Sequence, residues 1–246
     1  MVSAALLHRY RADVPLRYWK PIQTGTEQDD DPAEVGRLGR CGSEELLPSG
    51  VRLPIPVSPH LAARLSGCTI RLEPLIDFVI AETARCGAGL QACERGKVGR
   101  GFSPATSRAL KGPRYAPRHN DETGSREPRW IVEGAGGTLV PVNESETMAD
   151  LMVRLGLPII VVTRTTLGTI NHTLLTLEAL RRRALHVVGV VMVGHRDREN
   201  RAAIEQYGDV AVLGEMPWLD PLTPEEVAKW ATAELDPGRR LLELLR

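Results

Sequence analysis

The chain has 246 residues, enough to bury a sizeable core in one large α/β domain or two small ones. Its 31 basic residues balance 31 acidic ones, so no global field draws nucleic acid or an anionic membrane to it. No apolar run nears the roughly 20 residues that a membrane span requires. The leading MVSAALLHRY lacks the basic lead and small-residue cleavage site of a secretory signal, so the expectation is a cytoplasmic protein. Cys41, Cys68, Cys86 and Cys93 stand far apart with no C-x-x-C and no nearby His pair, which favours free thiols over zinc ligation.

In chain order, residues 2–12 carry apolar positions at helical spacing. LRYW (16–19) reads as a short strand, and KPIQTG (20–25) as the loop leaving its carboxyl end. The trio Asp29, Asp30, Asp31 precedes Pro32 and supplies a cap and first-turn proline for a helix over AEVGRLGR. LPIPVSPH (53–60) is extended, Ser58-Pro59 opens a second short helix, and 72–86 is amphipathic and helical. Residues 87–128 are rich in Gly, Arg, Pro and Ser with no sustained period, and read as an inserted, largely disordered, solvated loop.

From residue 130 the pattern turns regular. Strands are expected at WIVE (130–133), PIIVVT (158–163), HVVGVVMV (186–193) and VAVLGEMP (210–217). Helices are expected at 148–156, 168–183 and 199–208, with two more after residue 224. Strands apolar on both faces and alternating with helices imply a parallel sheet covered by helices on both faces, an α/β domain over residues 1–246.

Ligands of such sheets bind beyond the carboxyl ends of the strands. Glu133 follows Trp-Ile-Val there, and an acid in that place is costly to bury unless it meets a cation or donors. It is either a Mg²⁺-holding strand-end acid or a solvated residue on a tight turn; the glycines at 134, 136 and 137 let backbone N–H groups approach an oxyanion. Lys20 ends its strand and can lend charge to a phosphate or carboxylate, although surface lysines are common. Asp31 is a second cation ligand or merely the helix cap.

Together the stretches YWKPIQTG, DDDPAEVGRL, VSPHLAARLSG, WIVEGAGGTLVPVNE, PIIVVTRTTLGTINHTLLTLEALR and LGEMPWL resemble the ATP-dependent dethiobiotin synthetases of biotin biosynthesis. They occur in that family's order and span the chain apart from the insertion. The resemblance implies a P-loop NTPase-like fold and a cytoplasmic homodimeric ligase. This would carboxylate 7,8-diaminopelargonic acid with CO₂ and close the ring, with ATP as co-substrate and Mg²⁺ as cofactor. It implies Lys20 as catalytic residue, Thr24, Gly168 and Asn171 as substrate contacts, and Asp31 and Glu133 as Mg²⁺ ligands. Asp31, Glu133, Gly134, Ala135, Gly136, Pro217, Trp218, Leu219 and Glu225 would contact ATP. The 167–172 turn would reach the substrate of the partner subunit, where the alternative for Asn171 and His172 is helix capping and packing.

Two departures accompany the resemblance. No G-x-x-x-x-G-K-[ST] occurs, and the first strand and phosphate-binding loop of the family find no counterpart ahead of VSAALLHRY. The expectation is a start site assigned too late, with an inactive truncated product or a non-catalytic ligand-binding relative as alternatives. The 87–128 insertion is the second.

Overall fold

The computed structural model describes residues 1–86 and 127–245; the expected insertion lies outside the described residues except for its last two. The first helix, α1 (Val2–Tyr10), leads into strand β1 (Leu16–Trp19). The segment leaving β1, expected as loop, carries a short strand, β2 (Ile22–Thr24), which pairs in parallel with β4 (Val51–Leu53). Helix α2 (Asp31–Gly39) lies between them, followed by β3 (Leu46–Leu47). Segments of two and three residues carry too little periodicity to be seen in sequence. Helices α3 (Pro59–Leu65) and α4 (Leu72–Cys86) complete the first part. The second part is β5 (Arg129–Val132), α5 (Met148–Leu155), β6 (Ile159–Arg164), α6 (Thr169–Arg181), β7 (Val187–Val193), α7 (Arg198–Gly208), β8 (Val212–Met216), α8 (Pro224–Glu234) and α9 (Arg240–Leu245).

All pairings between these strands are parallel, in the orders β3-β1-β5, β2-β4 and β6-β7-β8. Alternation along each strand feeds two faces. Leu16 and Tyr18 of β1, with Val191 and Val193 of β7, join α1, α2, α8 and α9 in one core. Trp19 of β1 packs the other way with α3, α4 and α5, where its ring meets Phe78 at 5.3 Å and the edge of Trp130 at 5.9 Å. Val190 and Met192 face α6 and α7 in a third core. The expected parallel α/β architecture with helices on both faces is therefore present.

The sheet is divided, however. Among the described residues β5 pairs with no strand but β1, and β6 with none but β7. Between them runs a cleft of about 1090 Å³, walled by Trp130, Ile131 and Val132 on one side and Ile160, Val161 and Val162 on the other. This explains why β6, apolar from Ile159 to Val162, leaves Val162 53% exposed. Met1, Val2 and Ser3 line the same cleft, so α1 starts at its mouth.

Helix ends follow local chemistry. The cap of α2 is Asp30, whose carboxylate accepts from the Ala33 N–H at 3.2 Å. Asp31 is thus the first helical residue and its side chain is free for another task. Helix α5 opens on Thr147, whose N–H and hydroxyl both donate to Asp150 at 2.7 Å. It stops at Gly156, in the left-handed region.

Candidate active site

Register builds the site. Tyr18 lies opposite Ile131 and Trp19 opposite Val132, and the Glu133 N–H donates to the Trp19 carbonyl at 2.9 Å. One step further, Lys20 and Glu133 leave neighbouring strands side by side. Because side chains two apart share a face, Tyr18 and Lys20 stand with Ile131 and Glu133 on the face that α1 covers.

Lys20 is only 7% exposed, which an ammonium tolerates only when paired. Its Nζ lies 2.7 Å from Asp31 Oδ2 and 3.0 Å from Glu133 Oε1, and donates to the Gly134 carbonyl at 3.1 Å. Two carboxylates and a carbonyl therefore converge on one point. The second carboxylate oxygen of Glu133 accepts from Ser3 Oγ at the start of α1. The Tyr18 hydroxyl is buried close to Glu133 and Asp31. Burial, then the charges of Glu133 and Asp31, push its pKa well above the ordinary phenol value. Ser3 and Tyr18 were missed in the sequence; for Tyr18 the signal was there, since it precedes Lys20 by two in one strand.

The donor set suits a hard cation. Mg²⁺ is usually held by one or two carboxylates with phosphate and water oxygens completing the shell. Among the described residues no cluster of three or more His, Cys, Asp or Glu side chains exists that would favour zinc or an all-protein calcium cage.

The other expected residues distribute around the cleft. Gly134, Gly136 and Gly137 line it with Glu133, as do Gly168, His172 and Trp218. Gly136 has φ +72° with Val140 Cγ2 only 3.0 Å from where a Cβ would stand, so the turn requires glycine. Ala135 points away, buried with Met148 and Leu151. Gly168, at φ +91°, caps α6 from an exposed turn. Asn171 and His172 follow it with exposed side chains. Thr24 ends β2, half-buried; neither Thr24 nor Asn171 borders the cleft. Pro217, Trp218 and Leu219 follow β8, with Trp218 59% exposed. Glu225 opens α8 and forms an exposed ion pair with Arg40 of the α2 terminus.

A family model described as an AAA domain matches residues 1–88 and 112–226. The ATP-dependent dethiobiotin synthetase BioD of Paramagnetospirillum magneticum is 41% identical over 228 residues, covering 93% of this chain and 86% of that protein. The chain belongs to the ATP-dependent dethiobiotin synthetase family. Proteins of the same name from Agrobacterium fabrum and Brucella ovis are 38% and 36% identical, each with 82% of its length covered. Membership makes the chain a ligase of biotin biosynthesis, an ATP-dependent family acting on small molecules. No helix among the described residues is long and apolar enough to cross a membrane.

Proposed function

We propose that this dethiobiotin synthetase carboxylates 7,8-diaminopelargonic acid with CO₂ and closes the ring at the expense of ATP, with Mg²⁺ as cofactor. The observation that carries the reading is the convergence of Lys20, Asp31 and Glu133 at the carboxyl ends of β1 and β5. One substrate amine adds to CO₂ and loses a proton, giving a carbamate anion. A carbamate oxygen takes the γ-phosphoryl group of ATP and releases ADP, and the neighbouring amine then attacks the activated carbon, loses a proton and expels phosphate. Two anions must therefore approach, and positive charge and N–H donors must offset their repulsion.

In this reading Lys20 supplies that charge as a mobile point cation. Asp31 and Glu133 would hold Mg²⁺, which when bound neutralises phosphate oxygens. Gly134, Ala135 and Gly136 present backbone to the substrate and phosphate region, while Pro217, Trp218, Leu219 and Glu225 border the adenine. Thr24 contacts the substrate. Gly168 and Asn171 reach the substrate carboxylate of a partner subunit in a cytoplasmic homodimer. The fully exposed Leu167 and 56% exposed Leu175 beside them support such an association.

A second reading is favoured by the open cleft beside Glu133: the protein is a relative that binds a small ligand without turnover. ATP- and bicarbonate-dependent formation of dethiobiotin, measured on residues 1–246 and on a chain extended by any sequence encoded in frame upstream, separates the two. Product from either chain supports the ligase reading. No product from both, with ligand bound, favours the second.

A further inference from the structure

We propose that the Lys20 ammonium and a divalent cation are alternative occupants of the single position between Asp31 and Glu133, so that Lys20 becomes available to an anionic substrate only when it gives up that position. The inference rests on the reading of Asp31 and Glu133 as cation ligands and adds an order of events to it.

Three facts carry it. An ammonium has three N–H donors. Lys20 donates from its Nζ to Glu133 and Gly134 and lies 2.7 Å from Asp31 Oδ2 in an ion pair. Held so, its charge is already matched by two protein carboxylates, which repel an approaching carbamate or phosphate. A divalent cation, in turn, needs those carboxylate oxygens at about 2.0–2.1 Å, and it repels an ammonium that shares them. The two do not coexist there.

The anchoring of the partners decides which group moves. Glu133 is fixed through its other oxygen by Ser3, and its backbone is hydrogen-bonded to Trp19. Asp31 stands in the first turn of a helix whose cap is satisfied by Asp30. Lys20 has a backbone held at the end of β1, but its four-carbon stem is free to swing once its contacts are relinquished. The carboxylates form the fixed frame and the ammonium is the exchangeable part. Lys20 then couples cation loading to substrate activation: it turns outward in the loaded site, where the anions have to be brought together.

Amine-directed chemical labelling of the full chain, read by peptide mass spectrometry with and without Mg²⁺ alone, tests this. Lys229, whose side chain is 76% exposed, serves as internal standard. Labelling of Lys20 relative to Lys229 is expected to rise about tenfold with Mg²⁺ as the buried ammonium is released. No rise, or a fall, overturns the exchange. Binding of Mn²⁺ alone to the wild type and to Glu133→Gln, followed by paramagnetic resonance, reports on the underlying reading. Weaker binding by Glu133→Gln together with shielded Lys20 leaves the cation site standing and sinks the exchange. Equal binding by the two proteins removes the cation site, and the exchange with it.

Discussion

Replacing Glu133 with glutamine keeps the volume and an acceptor for Ser3 but removes the charge that faces Lys20. At 3.0 Å and an effective dielectric near 20, that pair is worth about 5 kcal/mol before solvation is counted. The Glu133 side chain is 31% exposed, and Lys20 keeps Asp31 at 2.7 Å, so most of this is screened or replaced. The net loss should resemble that of one hydrogen bond to a charged group at the low end of its range, about 1.5 kcal/mol. For a chain of this size the melting temperature falls by about 3–6 °C. Turnover, by contrast, loses a cation ligand and should drop by at least about 100-fold, or roughly 3 kcal/mol of barrier. Circular-dichroism melting and dethiobiotin formation at saturating Mg²⁺, on whichever form of the chain turns over, measure the two separately. Turnover within threefold of wild type would refute the assignment of Glu133. So would a melting temperature lowered by far more than 6 °C with activity lost only in proportion to the folded fraction, since Glu133 would then be a packing residue.

Ser3→Ala removes the hydroxyl that holds the outer oxygen of Glu133 and should cost about 1 kcal/mol, with a raised KM for Mg·ATP; an unchanged KM would show that Glu133 needs no such anchor. Asp236, 2% exposed, accepts from the Tyr10 hydroxyl and from the N–H groups of Arg240 and Leu241, so Asp236→Ala should destabilise by about 3 kcal/mol in denaturant titration and free α9 from α1. Burial raises the pKa of Asp150, but the N–H and hydroxyl of Thr147 outweigh it and hold the carboxyl below its ordinary 3.8. A depressed folded value stabilises above the unfolded pKa and is lost as pH falls below 3.8, so wild type should lose stability there more steeply than Asp150→Asn; parallel acid limbs would contradict this.

Much of the site was legible in sequence because it lies at the ends of apolar runs. Trp-Ile-Val before Glu133 and Leu-Arg-Tyr-Trp before Lys20 are strands, and a charge at the carboxyl end of a parallel strand has few structural reasons to be there. The ambiguity at Asp31 could not be resolved that way. Three successive aspartates are equivalent as cap candidates, and only the backbone angles at Asp30 assign it the cap and release Asp31 to Lys20. Ser3 was invisible because it meets Glu133 across 130 residues, through packing of α1 on the sheet.

Sequence by itself determined the types of the longer elements, their parallel alternation, the family and the strand-end positions of Lys20 and Glu133, since these follow from periodicity and motif order along the chain. Tertiary structure alone decided which carboxylates share Lys20, that the Gly134 carbonyl also accepts from it, and that the sheet is divided between β5 and β6. Those properties depend on register and on the distances between strands far apart in the chain. Local pattern carries no record of either.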